Sequence, residues 1–306
     1  MPEIRFDDQV VAITGAGGGL GRAYALAFAA RGAKVVVNDL SGAEQVAEEI
    51  RAAGGEALAC PQSVATPEGG AAIVEAALAR WGRLDALVHN AGVWRHRSFA
   101  EMEAAELDPV LDVHLRGAFF VGRPAWRAMA ARGYGRIVLT GSSTGAFGRL
   151  LGSNYAAAKA AMFGLARALA LEGEALGIRT NCILPIAPFG RHEGVPESLT
   201  AAVRATGLAP EDAVPELVTP MVLYLASRAC AVNGEAFSAG GRRFGRVFVA
   251  VADGWLAPDG PPPAPEEVAA HLPEIRDLSR FRIPEHALAE LADIGERLRA
   301  RRGEGR

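Results

Sequence analysis

Short apolar runs bounded by turn residues alternate along this chain with longer stretches whose apolar side chains recur every three or four positions. Val10 to Ile13, Lys34 to Val37, Ala57 to Cys60, Leu84 to His89, Arg136 to Thr140, Ile178 to Leu184 and Gly234 to Ser238 are of the first kind. Arg22 to Arg31, Ala43 to Ala53, Glu68 to Trp81, Glu103 to Arg132 and Glu211 to Ser227 are of the second. Pro109 and Pro124 are expected to kink or divide the longest of these. Strands alternating with helices of this length predict an α/β fold: a doubly wound, seven-stranded parallel sheet with helices on both faces. Ligands of such sheets collect beyond the carboxyl ends of the strands, where Thr14, Asp39, Ser63, Asn90 and Ser142 all fall.

Two stretches break the rhythm. Ile186 to Ala209 reads as a long loop of the kind that forms lids, with Pro188, Phe189, Val195 and Leu199 suggesting an apolar pocket. Arg191 and His192 of that loop are candidates to meet an anionic group of a ligand. Beyond Gly240-Gly241, Arg242 to Trp255 alternates enough for an added strand or two, Pro258 to Pro265 reads as a linker, and Ala287 to Arg302 as an amphipathic helix with a basic end. The expected division is a sheet domain over 1–241 and a C-terminal extension over 242–306, packed on the same domain or on a neighbouring subunit.

Composition narrows the choices. Half of the 306 residues are hydrophobic and 22% are charged, which allows a sizeable core and excludes wholesale disorder. The net charge of -3, with acids and bases interspersed, gives no support for a nucleic-acid partner. Cys60, Cys182 and Cys230 are too few and too scattered for a disulfide framework, and no Cys or His spacing suggests a metal site. The opening Met-Pro-Glu-Ile-Arg-Phe is unlike a signal peptide, the closing Gly-Glu-Gly-Arg is no peroxisomal address, and the apolar runs are far short of a membrane span. A cytoplasmic protein is the expectation.

The candidate chemistry lies at three places. Gly15-Ala-Gly-Gly-Gly19-Leu20-Gly21 links the first strand to the first helix. Glycines there admit a phosphate to backbone N–H groups at a helix N-terminus. Asp39 ends the second strand, where an acid accepts from both ribose hydroxyls of NAD and repels a 2′-phosphate; NAD is therefore expected over NADP. Ser63-Val64 is a candidate rim for the adenine ring. Tyr155 and Lys159, four residues apart on a helix starting near Ser153 or Asn154, share one face. A neighbouring ammonium favours the phenolate, so the pair suits proton exchange with an alcohol or ketone.

Thr14-Gly-x-x-x-Gly-x-Gly21, Asn90-Ala91-Gly92, Ser142 and Tyr155-x-x-x-Lys159 resemble the motifs of the short-chain dehydrogenases/reductases, in order and spacing, over about Phe6 to Gly241. The resemblance implies a Rossmann-like fold and a role for each residue. Gly15, Gly19 and Gly21, with Leu20 between them, would hold the pyrophosphate, Asp39 the adenosine ribose, and Asn90-Ala91-Gly92 the cofactor side of the sheet. Ser142 would bond the substrate oxygen, Tyr155 would be the general acid/base, and Lys159 would bind the nicotinamide ribose and lower the tyrosine pKa. Three departures stand out: His114 replaces the usual relay asparagine, Pro185 is followed by Ile186 instead of glycine beside the nicotinamide, and Ser63 stands where an acid is common.

A narrower likeness is carried by Gly21-Arg-Ala-Tyr-Ala25, Val36-Val-Asn-Asp39-Leu, the run from Ser63 to Gly70, and Asp112-Val-His114-Leu. These resemble the (3R)-hydroxyacyl-CoA dehydrogenase domain of peroxisomal multifunctional enzyme type 2 and its bacterial relatives. The implied activity is NAD(H)-dependent interconversion of a bulky apolar secondary alcohol and its ketone. A 3-hydroxyacyl-CoA is the first substrate class, with a hydroxysteroid or a general ketone as alternatives. The likeness also implies a homodimer or homotetramer, paired through the two long helices. The competing class is a catalytically idle dinucleotide-binding sensor or scaffold, which is expected to have lost Ser142, Tyr155 or Lys159; none is lost. An epimerase or dehydratase would carry T-G-x-x-G-x-x-G, which Thr14 to Gly21 does not match.

Overall fold

The structure, a computed structural model, describes residues 3–187 and 197–303. It divides into two units, Met1–Val247 and Phe248–Arg306. In the first unit the elements run β1 (Val10–Thr14), α1 (Gly19–Ala30), β2 (Lys34–Asn38), α2 (Ala43–Ala52), β3 (Glu56–Cys60), α3 (Pro67–Trp81) and β4 (Ala86–His89). Then come α4 (Ala104–Leu111), α5 (Gly117–Ala130), β5 (Gly135–Thr140), α6 (Ser143–Phe147), α7 (Ser153–Gly173) and β6 (Ile178–Pro185). The unit closes with α8 (Glu197–Ala205), α9 (Thr219–Ala226), β7 (Ala236–Gly240) and β8 (Arg243–Val247).

The sheet has eight strands in the order β3-β2-β1-β4-β5-β6-β7-β8, not seven. Seven are parallel, as the alternation of strands and helices requires, and β8 returns antiparallel to β7. Gly241 and Arg242 make the turn, with φ of 57° and 60°. Positive φ at both central positions of a two-residue hairpin matches the twist of the flanking strands. The hairpin adds Arg243–Val247 to the sheet, so the first unit runs to Val247 instead of the expected 241.

Both faces of the inner sheet are covered, which is why its strands are mostly apolar. Alternate residues feed separate cores. Val11, Ile13, Val35 and Val37 pack with Tyr24 and Phe28 of α1 and Val222 and Leu225 of α9. Val10, Ala12 and Val36 pack with Ile73 and Val74 of α3, Val121 and Met129 of α5 and Met162 of α7. Each such side chain contributes about 1.5–3 kcal/mol on burial.

Several elements differ from expectation. α1 begins at Gly19, three residues before Arg22, so Gly19 and Gly21 lie in its first turn. The long helix breaks at neither proline; a π-helical turn, Asp112–Arg116, separates α4 from α5, and Pro109 and Pro124 sit inside those helices. Pro124 has no N–H for the Phe120 carbonyl, and that carbonyl lies against Gly70 of α3, where an added Cβ would come within 2.5 Å of it. Two 3₁₀ turns, Pro210–Asp212 and Pro215–Leu217, replace the first half of the helix expected over Glu211 to Ser227. The loop expected over Ile186 to Ala209 contains α8. Pro188, Phe189, Arg191, His192 and Val195 lie outside the described residues, as does the Leu199 side chain.

The second unit pairs β9 (Val251–Ala252) antiparallel with β10 (Phe281–Arg282) and adds α10 (Pro265–Ala270), α11 (Leu272–Ile275) and α12 (Ala287–Arg302). None of its described residues is buried. Polar and stacking contacts hold it: Arg297 donates to the Asp253 carbonyl at 2.6 Å, Arg301 pairs with Asp259 at 2.6 Å, and Trp255 stacks on His271 with ring centres 4.1 Å apart.

Candidate active site

The strand order reverses between β1 and β4, and the site is built on that crevice. Thr14, last in β1, lies in register with Asn38 on one side and His89 on the other. The chain then turns through the glycines. Gly17 passes so close to the next loop that an added Cβ would lie 1.9 Å from the Ser41 carbonyl oxygen. Gly19 has φ of 50°, and a Cβ on Gly18 or Gly19 would meet nothing within 4 Å. Gly18 is the N-cap of α1 and supplies no side-chain cap. The turn thus leaves space beside Gly18 and Gly19 at the positive end of a helix, which fits a phosphate. Gly15 packs on Ala91, Gly21 packs on the Gly15 carbonyl, and Leu20 turns onto the α1–sheet core.

Asp39 stands at one end of this cradle. Its Oδ2 accepts from the Gly17 N–H at 3.0 Å and its Oδ1 from the Ser41 N–H at 3.2 Å. Arg22, the nearby cation on α1, is tied to Glu49 of α2 through an ion pair. The Ser63 hydroxyl accepts from the Ala65 N–H at 3.2 Å, and Val64 is buried against Gly117. Pro185 ends β6, in register with Ala239.

At β4 the pairing is closely determined. The Asn90 amide donates to the carbonyls of Thr14 and Gly15 at 3.1 and 3.0 Å. The Thr14 hydroxyl oxygen accepts from the N–H groups of Asn90 and Ala91, each at 3.0 Å. Its own proton is then directed to His89 Nδ1, 3.3 Å away. That leaves His89 with its proton on Nε2, donating to the His114 carbonyl at 3.2 Å. Burial, aided by the Lys159 charge, pushes the His89 pKa down to about 4.

His114 lies on the π-helical turn and is buried. Its ring fits only because position 92 is glycine; a Cβ on Gly92 would lie 2.5 Å from His114 Cε1. Nε2 sits 3.1 Å from the Val93 N–H and 2.9 Å from the Val93 carbonyl, while the buried Nδ1 has no hydrogen-bond partner among the described residues. Burial, with the Lys159 charge next, holds its pKa well below the ordinary histidine value.

Tyr155 and Lys159 enter from α7, both buried. Gly152 is the N-cap of α7; Asn154 instead donates to the carbonyls of Arg95 and Glu106 at 3.1 and 2.9 Å. Ser142 caps α6 by accepting from the Thr144 N–H at 3.1 Å, and its hydroxyl bonds the Tyr155 phenol. The edge of the His114 ring meets Tyr155, with centres 5.1 Å apart. Trp94 lies face to face on Tyr155 at 3.7 Å. Lys159 Nζ donates to the Thr140 carbonyl at 2.6 Å and is 5.6 Å from the Tyr155 ring centre.

The electrostatics correct one expectation. Burial pushes the Lys159 ammonium down to about 7. Burial also raises the Tyr155 phenol above its ordinary value, with the Ser142 hydrogen bond and the Arg149 charge acting in the opposite direction. The expected depression of Tyr155 by Lys159 is not found. Trp94 and Arg149 were not singled out in the sequence, because a lone aromatic and a lone arginine in loops carry no periodic signal. Among the described residues no cluster of His, Cys, Asp and Glu could hold a metal ion, and no helix is long and apolar enough to cross a membrane.

Comparison with known proteins agrees with this geometry. The short chain dehydrogenase family matches residues 9–187. The chain belongs to that family. It is an oxidoreductase acting on CH–OH groups, and its family uses a nicotinamide dinucleotide. It is 41% identical over 295 residues to mouse peroxisomal multifunctional enzyme type 2, covering 92% of this chain and 38% of that protein. It therefore spans well under half of that relative's length. A putative short-chain type dehydrogenase/reductase of Mycobacterium tuberculosis is 40% identical over 92% of this chain and 98% of its own. The solved structure of full-length peroxisomal multifunctional enzyme type 2 from Drosophila melanogaster superposes with a TM-score of 0.80 at 34% identity, covering 96% of this chain and 50% of that one.

Proposed function

We propose that this chain is an NAD(H)-dependent dehydrogenase that interconverts a bulky apolar secondary alcohol and its ketone, with a 3-hydroxyacyl-CoA as first substrate class and a hydroxysteroid as second. The observation that carries the reading is the meeting of Ser142, Tyr155 and Lys159 at the carboxyl edge of the sheet, beside an open glycine turn that ends at Asp39. Preference for NAD is supported by the Asp39 carboxylate and by Glu49, which occupies the nearby Arg22. An apolar substrate is supported by Phe99, Phe147 and Leu150, which are 85%, 74% and 87% exposed. Phe99 begins a 3₁₀ turn, Phe147 ends α6 and Leu150 follows it, and the Arg97 N–H joins the two segments by donating to the Leu151 carbonyl at 3.3 Å.

The glycine turn and the α1 N-terminus would hold the pyrophosphate, Asp39 the adenosine ribose, Ser63 and Val64 the adenine side, and Asn90, Ala91, Gly92 and Pro185 the nicotinamide side. Lys159 would bind the nicotinamide ribose. The bound dinucleotide supplies the acceptor or donor of the hydride. Ser142, already donating towards the Tyr155 oxygen, would hold the substrate oxygen next to it. In oxidation the Tyr155 phenolate takes the hydroxyl proton as the hydride leaves carbon; in reduction the phenol returns it. His114 would take the place of the relay asparagine, its buried Nδ1 being open to a proton-carrying partner. The chain would form a cytoplasmic homodimer or homotetramer.

Oxidation of NADH and NADPH with a 3-ketoacyl-CoA, a ketosteroid and an aryl ketone tests the reading. Fastest turnover of the 3-ketoacyl-CoA with NADH is expected. NADPH-preferring activity would contradict the cofactor assignment, and no turnover of any of the three would contradict the enzyme reading.

A further inference from the structure

We propose that Arg149 and Trp94 form a charged stack serving Tyr155: Trp94 fixes the phenol ring, and Arg149 is a positioning residue whose lasting positive charge favours the phenolate. This rests on the reading of Tyr155 as the acid/base. Trp94 is in contact with both of the other groups. The Arg149 guanidinium carbon is 5.0 Å from the centre of the Trp94 ring, and Trp94 stacks on Tyr155 at 3.7 Å with 21° between the planes. A guanidinium over an indole face is held by the ring quadrupole. Trp94 thus links a cation to the phenol ring, and the Arg149 charge acts on Tyr155 in the direction of the phenolate.

The loop that presents Arg149 is built for this position. It joins α6 to α7, and Leu151 takes φ of 59°, a left-handed conformation that a branched residue holds only when its surroundings enforce it. The Leu151 carbonyl accepts from the Arg97 N–H at 3.3 Å, which locks this loop to the one carrying Trp94. Arg149 Nη2 lies 3.4 Å from His96 Nδ1 on that second loop. The guanidinium lies over Gly152, where an added Cβ would be 3.0 Å from Nη2.

The other charged and titratable groups around Tyr155 do not supply the same charge. Lys159, on its own helix, aims its ammonium at Thr140, and burial brings it to about 7, so much of it is neutral in the physiological range. Burial keeps His114 of the π-helical turn and His89 of β4 neutral. The Cys182 thiol of β6 is pushed up to about 12 and stays protonated. On α4, Val110 and Leu111 pack beside Tyr155, and Glu106 is paired with Arg97. An arginine keeps its charge at every working pH even when burial lowers it, as here.

The test is the pH profile of alcohol oxidation with NAD, using the alcohol form of whichever panel compound the wild-type protein turns over fastest. Oxidation needs the phenolate, so its rate rises with pH through the Tyr155 limb. In Arg149→Gln that limb should move up by about one pH unit, lowering the rate about tenfold along the rising limb. Arg149→Lys should keep the wild-type limb, and Trp94→Phe should keep it better than Trp94→Ala. KM for NAD should not change. A limb in Arg149→Gln that superimposes on wild type overturns the proposal, as does an equal loss at every pH shared by Arg149→Lys. Tyr155→Phe separates the two claims: if it is inactive while the Arg149→Gln limb is unmoved, only the stack fails. If it is fully active, the acid/base reading fails first.

Discussion

The Lys159 ammonium donates to the Thr140 carbonyl across 2.6 Å in a site where both neighbouring histidines are neutral. A lysine buried without a carboxylate is a cost to folding that the site carries for its chemistry. Its folded pKa of about 7 lies below the unfolded value of 10.5. Between those values the unfolded chain holds more protons, so wild-type stability rises with pH across that window, and the penalty is complete below it. Lys159→Met should abolish turnover yet raise Tm, by several degrees at pH 6 and by less as pH approaches 10, as measured by thermal unfolding without cofactor. A lower Tm than wild type at pH 6 would contradict this.

His89 gives a slope of the same sign at lower pH. Its folded pKa of about 4 lies below the ordinary 6.5, so the unfolded state takes up a proton first as pH falls. Stability present above pH 6.5 is lost between 6.5 and 4, up to on the order of 3 kcal/mol from this residue. His89→Gln should flatten part of that loss, leaving the share due to His114. Urea midpoints from pH 4 to 7 measure it; identical slopes for the two proteins would show that His89 is not held neutral.

Asp39 and Glu49, ten residues apart in sequence, bear on the proposed choice of cofactor. Asp39→Ala removes the acceptor and should raise KM for NADH by about 10–100-fold, the worth of one charge-assisted hydrogen bond. Glu49→Gln releases Arg22 and should leave NADH turnover nearly unchanged while improving NADPH use several-fold. The ratio of kcat/KM for the two cofactors is the readout. An unchanged ratio in Glu49→Gln would place Arg22 out of reach of a 2′-phosphate.

The sheet was legible because burial on both faces gives most of its strands a short apolar run, and because several of these runs lead to a residue with chemistry on it. Val10 to Ile13 leads to Thr14, and Arg136 to Thr140 leads to Ser142. The eighth strand was less legible: Arg243, Phe244 and Arg246 are exposed, so its pattern lacks the apolar signal of an inner strand. The π-helical turn left no trace, since inserting one residue into a helix changes which side chain meets Tyr155 without altering composition or period. Ser142, Tyr155 and Lys159 were found by spacing along short segments. Trp94, Arg149 and Glu49 were not, because each acts through a partner 25 or more residues away in sequence or through a stacked ring.

Tyr155→Phe tests the central claim most directly. It removes one oxygen from a ring held by Trp94, His114 and Ser142, so the fold and the glycine turn should remain intact. NADH binding by fluorescence titration and NADH oxidation with a 3-ketoacyl-CoA are measured on the same preparation. The account predicts NADH binding within about threefold of wild type and a kcat lower by a factor of about 10²–10⁴. Wild-type turnover in that variant would contradict it.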